Sequence, residues 1–594
     1  MTKRWPALIA ALLLLTATTF AIASMRGDSA IVDEKSHLPA GVSYVTRGDL
    51  RLNPEHPPLI KDLAGFAVVA WSWMSNTPIR FPATHPSWAH ATNDQWSFGP
   101  FFLYEANGQA VDAMLFWGRL PTLLVFVGFG WWFFVWVRRR YGGWTGLLAV
   151  SLYALSPTVL AHARYITTDL GAAAAFFIAT LVFLRWLKHP NARRLVLAGA
   201  VFGGALLVKF SVLILIPIWA VLIVLWAGVT ERGASAQRLL ARILGQLGAY
   251  ALILTIAFGL VVLPVYVAQT WNYPAEKQAV DARAYFQPSG PDPLERFVLW
   301  SADKPVIRAA GQYLTGVLLV ANRAAYGSVT YFQGTVKNGG RTRYFPLVYL
   351  VKEPLAFHLL SFFTIIGAVM VMFRQRLRGA LPWARAHFTE LSFLIVVGTY
   401  WIVSIQSALN IGVRHLLPTL PFAFVLVSIA VVSGIQRLRG RFRGAAVVAL
   451  LLLLGWQAVS VLRSAPSFLA YFNEAASGSA NGHRIVADSN LDWGQDLKRL
   501  AAFVRERGID AISVDYFGGG NVEHALPDVG RAVHIDGTAV TGWLAVSQTY
   551  LTAERGQAAP GYDKAPNRYA WLDAYEPATT VGHSIVVYNI PASP

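Results

Sequence analysis

Residues 31–61 read IVDEKSHLPAGVSYVTRGDLRLNPEHPPLIK, and they crowd ionisable side chains together. An adjacent Asp33-Glu34 pair is followed by His37, Tyr44, Arg47, Asp49, Arg51, Glu55 and His56, and then by Lys61 after Pro57-Pro58. Carboxylates and imidazoles take or give protons, and cations hold anions. The segment directly follows the first apolar run, and titratable groups this dense beside a membrane mark a site. The competing reading is a solvated, charged loop.

The rest of the chain must position these groups. Of 594 residues, 55% are hydrophobic and only 14% charged, which excludes an ordinary soluble protein and calls for a multi-pass membrane protein. The formal charge of +18 resides in short Lys/Arg clusters between apolar runs. That is the positive-inside pattern and not a nucleic-acid footprint, so no nucleic acid is expected as a partner. The chain has no cysteine, which rules out disulfides and thiolate metal sites. Its 21 Trp and 22 Tyr supply interfacial belts and faces for sugar stacking.

Lys3 and Arg4 precede the apolar run 7–23, read as a retained first helix with a cytoplasmic N-terminus. A signal peptide cleaved after Ala21-Ile22-Ala23 is the alternative. Run 114–137 closes on Arg138-Arg139-Arg140, and runs 144–161 and 170–187 form a hairpin with Arg164 and Asp169 at its outer tip. The stretch up to the basic cluster at 232–242, interrupted by Lys209 and Pro217, must go out and back as two short helices, which turns Lys209 outward. Further spans are expected at 243–268, at 355–373 before Arg374, Arg376 and Arg378, at 391–407, up to Arg437, and at 445–462. Arg414-His415 then falls in a short outer loop. The total is about eleven spanning helices, N-terminus inside and C-terminus outside. Two long outer segments result, 25–112 with an interfacial helix at 63–74, and 270–353 with Tyr344 and Lys352. The membrane domain is placed at 1–462. Residues 463–594 read as a small extracytoplasmic α/β domain with strands at 485–487, 512–514, 543–546 and 585–588. Asp492 and Gln495, at capping-box spacing, would open a helix stopped by Gly508.

The order Asp-Glu, Tyr, Arg47-Gly48-Asp49-Leu50, His56-Pro57-Pro58-Leu59, Lys61 after a first helix resembles the first extracytoplasmic loop of the GT-C glycosyltransferases. In pattern it is similar to the bacterial lipid-carrier-dependent enzymes of family 39, grouped with protein O-mannosyltransferases and lipid A aminoarabinose transferases. The resemblance covers most of the membrane part. It implies a GT-C fold and inverting transfer of a sugar from a polyprenyl (undecaprenyl) phosphate carrier. The acceptor would be a protein, lipid or glycan at the outer face of a bacterial inner membrane. It also implies Asp33 as general base, with Glu34 orienting it or sharing its site; two adjacent carboxylates would push one pKa upward. Asp169 matches the family's second acid, a helix N-cap being the alternative. Lys209 and Arg414 match phosphate-binding positions, although His415 departs from the family's Arg-Tyr-Leu-Pro. Lys61 and Lys352 match family positions too, and equally fit snorkelling anchors. Outward placement adds Arg164 to the donor-phosphate cations. It assigns His37, Tyr44, Arg47, His56 and Tyr344 to acceptor or sugar binding.

No metal ligand is assigned. A divalent cation is compatible with Asp33, Glu34, His37 and His56, but no spacing resembles a dedicated metal motif. The run Asp488-Ser489-Asn490-Leu491-Asp492-Trp493 reads as a structural turn, with sugar or calcium binding as its rival. A polytopic lipid or solute transporter, or a non-catalytic scaffold, are the other function classes. A transporter would favour ionisable groups at mid-membrane and inverted repeats.

Overall fold

The computed structural model describes residues 5–231, 233–286, 292–374 and 380–591. Eight of its helices are long and apolar enough to cross a membrane: Trp5–Arg26, Gly108–Tyr141, Asp169–Lys188, Phe210–Thr230, Ala236–Gln269, Phe388–Gln406, Val413–Arg437 and Gly440–Arg463. A ninth is counted if Tyr344–Lys352 and Leu355–Val371, which meet at 115° around Pro354, form one broken span. The difference from about eleven has local causes. Span 144–161 is cut because Gly143–Ala154 stops short of Pro157, which brings no N–H. A second short helix, Pro157–His162, begins there, with Ser156 Oγ accepting from Val159 N at 3.3 Å. The stretch expected to go out and back as two short helices is Ala192–Leu206 and Phe210–Thr230, with Lys209 in the break between them; the first, at 15 residues, is shorter than the spans counted above. Lys3, Arg4, Arg232, Arg376 and Arg378, used above to orient the chain, lie outside the described residues.

The segment 31–61 is mostly helical. Glu34–Arg47 ends at Gly48 in the left-handed region (φ +60), and the chain re-enters helix at Leu59–Met74. These helices cross with their backbones in contact. A Cβ on Gly41 would fall 2.0 Å from the Lys61 carbonyl oxygen, and one on Gly65 would fall 2.4 Å from that of Gly41. Only glycine permits such an approach. Leu59–Met74 leaves Phe66, Trp73 and Met74 exposed, as an interfacial helix does.

The composition break at residue 463 is not the packing boundary. Phe468, Leu469, Phe472, Leu491 and Trp493 belong to the same apolar core as the spans, and a separate core begins at Leu497. There the helix Leu497–Arg507, closed by Gly508 (φ +60), packs through Leu497, Leu500, Ala501 and Val504 against a five-stranded sheet. The strand order is Gly530–Ala532, Ile512–Asp515, Gly542–Ser547, Ile585–Ile590, Thr579–Val581. The helix starts later than the capping-box spacing predicts, because Asp492 Oδ1 accepts from Gly494 N at 3.3 Å inside its own turn. The strand expected at 485–487 is reduced to one bridge between Val486 and Phe332. A second sheet pairs Val329–Phe332 with Thr335–Asn338, and the latter with Gln557–Ala558, tying the 270–353 segment to the end of the chain.

Candidate active site

Four side chains from distant parts of the sequence meet beside the first-loop helix. Asp33 precedes that helix and makes no capping bond, so its carboxylate is free for other partners. Asp169 is the first residue of Asp169–Lys188 and does not cap it either, which sets aside the N-cap alternative. A carboxylate there is still favoured by the positive end of the helix. Lys209 is extended (φ −156, ψ 136) in the break before the short helix Phe210–Ile214, and Arg414 is the second residue of the turn Val413–Thr419. Arg414 Nη1 donates to Asp33 Oδ2 at 2.7 Å and lies 3.5 Å from Asp169 Oδ2. Lys209 Nζ donates to Asp169 Oδ1 at 2.5 Å. Two carboxylates and two cations thus balance in a largely buried cluster.

Burial alone would lift the Asp33 carboxyl, but the Arg414 guanidinium, helped by His37, holds it below the ordinary carboxylate range. The upward shift expected for one acid of the pair does not fall on Asp33. Glu34 turns away and binds Arg119 bidentately at 2.8 and 2.7 Å. It also accepts the N–H groups of Ile31 and Ile166, each at 3.1 Å. His37 Nδ1 lies 2.7 Å from the Ile166 carbonyl oxygen, so this nitrogen carries the proton and Nε2 is left as an acceptor. The His56 ring meets it edge-on at 5.0 Å. Burial depresses both imidazoles, which leaves them neutral near pH 7.

The other expected residues serve different contacts. Lys61 Nζ, fully buried, is surrounded by Tyr44 Oη, Asn53 O, Asn53 Oδ1 and His56 O at 2.7–2.9 Å. Burial brings its pKa down to about 7. Tyr44 in turn donates to the Leu52 carbonyl. Lys61 is thus a clamp that folds the first loop over its own helix. Lys352 Nζ donates to the carbonyls of Leu469 (2.7 Å) and Asn490 (2.6 Å), and Tyr344 Oη accepts from Asn490 Nδ2 at 2.9 Å. Arg164 is buried against Asp28 and Ser24. Arg47 is exposed, with its guanidinium 5.0 Å from the Phe81 ring. Of the donor-side cations, the structure brings Lys209 and Arg414 together with the two acids. Lys61, Lys352 and Arg164 occupy structural networks.

Several residues here were not singled out from the sequence. Arg119, the partner of Glu34, lies within an apolar span, itself the signal of a functional or structural ion pair. Asp28 is shared between Arg164 and Arg499. Trp493 stacks on Arg414 with 4.1 Å between guanidinium carbon and ring centre, and its carbonyl accepts the Val32 N–H at 3.0 Å. Asn490 Oδ1 accepts from Val413 N at 2.9 Å. The turn 488–493 therefore braces both partners of the Asp33–Arg414 pair. Arg323 adds positive potential at His56 and Asp488. Among the described residues, no three Asp, Glu or His side chains converge as metal ligands.

Comparison with known proteins bears on this geometry. Residues 110–266 match the family described as dolichyl-phosphate-mannose-protein mannosyltransferase. That stretch, about a quarter of the chain, includes Asp169 and Lys209. No curated protein matches the chain. Among solved structures it is similar to ArnT from Cupriavidus metallidurans bound to undecaprenyl phosphate, at 12% identity and TM-score 0.42, covering 98% of both chains. It is similar to the Archaeoglobus fulgidus oligosaccharyltransferase in the apo form at 12% identity and TM-score 0.44, over 93% of this chain and 72% of that one. A third similarity is to the S. cerevisiae protein O-mannosyltransferase Pmt1-Pmt2 complex bound to the sugar donor, at 16% identity and TM-score 0.29, over 46% and 34%.

Proposed function

We propose that this protein transfers a sugar, with inversion, from a polyprenyl phosphate carrier to an acceptor at the outer face of a bacterial inner membrane. The observation that carries the reading is the Asp33–Arg414–Asp169–Lys209 cluster. The family match over residues 110–266 supports the transferase class. The Lys/Arg clusters between spans support a cytoplasmic N-terminus and an extracytoplasmic C-terminal module.

The chemistry follows from exchange of partners. An incoming lipid phosphate competes with the carboxylates for Arg414 and Lys209, both suited to an anion whose charge grows as it leaves. Asp33 loses the cation that depresses its pKa and becomes the stronger base. It takes the acceptor's proton as the acceptor attacks the anomeric carbon. The bond from anomeric carbon to phosphate oxygen breaks with its electron pair on the phosphate. A single displacement inverts the centre. Neutral His37, beside Asp33, and His56, against the His37 ring, are placed to hydrogen-bond sugar or acceptor hydroxyls.

The test is transfer of radiolabelled sugar from a panel of polyprenyl-phosphate sugars in membranes carrying the native chain or Asp33→Asn. Loss of a general base costs on the order of 10²–10⁴-fold. Transfer by the native chain and its loss in the variant is the expected outcome. Equal transfer by both removes Asp33 as base, and no transfer from any donor moves the transporter reading ahead.

A further inference from the structure

The segment 270–353 contains an apolar surface that the proposed chemistry does not use. The helix Pro293–Ser301 buries Val298 and Ser301 against Ile307–Tyr326 and turns Leu294, Phe297 and Trp300 outward. The corner between the two helices adds Val306 and Ile307. Trp300 is 52% and Val306 54% exposed, and nearby Trp271 is 71% exposed. A contiguous patch of this kind is not left in water without a partner.

The occupant follows from where the patch sits. Trp271 stands two residues beyond the end of the span Ala236–Gln269, whose apolar window is only 22% buried and so faces lipid. That is the level at which aromatic belts mark a membrane–water boundary. Trp271 and Val306 line one groove of about 470 Å³, together with Asn272, Tyr273, Asp303 and Arg308, so the corner stands at the same level. Lys304 lies 4.5 Å over the Trp300 ring and donates to Asp303 Oδ1 at 2.8 Å, the Trp–Lys pairing of an interfacial anchor. We infer that the Pro293–Ile307 corner, which spans nothing, is embedded in the boundary between headgroups and acyl chains of the outer leaflet, with the groove open to a lipid headgroup. The anchor also bears on the site. Its helix Ile307–Tyr326 packs on the first loop, where a Cβ on Gly316 would fall 2.2 Å from the Pro54 carbonyl oxygen, and Gln312 Nε2 donates to Leu50 O at 3.3 Å.

The chain has no cysteine, so single labels are unambiguous. Phe297→Cys and Trp300→Cys, each carrying an environment-sensitive fluorophore, are reconstituted as full chains in phosphatidylcholine vesicles, with Glu576→Cys in the C-terminal module as the aqueous control. Blue-shifted emission, quenched by nitroxide on the acyl chain and spared by aqueous iodide at 297 and 300 but not at 576, is the expected result. Quenching by iodide alone at both positions overturns the inference. Protection from both quenchers, with crosslinking between copies, overturns it in favour of a self-association surface. If either variant fails to fold, Leu294→Cys and Trp271→Cys read the same surface.

Discussion

At the scale of single residues, the site depends on which charges face each other. Asp33 and Glu34 are neighbours in sequence with opposite fates: one pairs with Arg414 in the four-charge cluster, the other is locked on Arg119. Adjacency showed that two acids are present but not which would be used, since the side chains leave the backbone in different directions and Arg414 comes from far along the chain. The acids of the turn 488–493 make a measurable prediction. Burial, partly offset by Arg414, lifts Asp488 to about 6, and burial against Thr549 contacts lifts Asp492 to about 7. Both folded-state values lie above the unfolded value, so their stabilising contribution is full below about pH 4 and is lost as pH rises through 6 and 7. A tenfold change in proton affinity between the two states corresponds to about 1.4 kcal/mol. In thermal melts from pH 5 to pH 8, Asp488→Asn and Asp492→Asn should each gain stability relative to the native chain as pH rises, the difference growing through 6 and 7.

At the scale of elements, the sequence reported apolar runs well and breaks poorly. The runs ending at Arg138-Arg139-Arg140 and Lys188 are helices at those places. Ser156-Pro157 and Pro354 were visible in the sequence, yet their effect, a cut span and a 115° bend, depends on packing that hydropathy does not report. In the first loop the interfacial helix at 63–74 was legible from its apolar residues, whereas the helix Glu34–Arg47 was not, because it is held by a glycine contact and the Lys61 clamp. That contact is testable. Gly41→Ala pushes a methyl group into the Lys61 backbone and should cost about 3 kcal/mol, the upper range of overpacking. It should also lower transfer by shifting Asp33 away from Arg414. Gly204→Ala, facing open space in a helix, should be neutral or stabilising by about 0.5–1 kcal/mol. Thermal melts of both variants, with label transfer alongside, separate the two effects.

At the scale of the whole molecule, the membrane part and the C-terminal part share one core up to Trp493, and compositional change at 463 could not show that. The strands at 512–515, 542–547 and 585–590 were legible from alternating apolar residues; the docking of 468–496 was not, because the contacts that seat it on the membrane part reach residues as distant in sequence as Val32, Lys352 and Val413. A chain ending at Arg463 keeps its spans but deprives Lys352 of both carbonyl partners and Arg414 of Trp493. It should fail to give a monodisperse peak in size-exclusion chromatography, whereas a chain ending at Asp496 should retain more folded material. The brace supplied by Trp493 and Asn490 also orders events in time. During synthesis the spans and both acids of the proposed site, Asp33 and Asp169, emerge long before residue 490, and domains form as they appear. Until that turn docks, Val32 and Val413 lack their hydrogen-bond partners and Arg414 lacks its aromatic cover. The Asp33–Arg414 pair is thus braced only when most of the chain has left the ribosome, so under the proposed function a nascent or truncated copy sitting in the membrane would not spend donor.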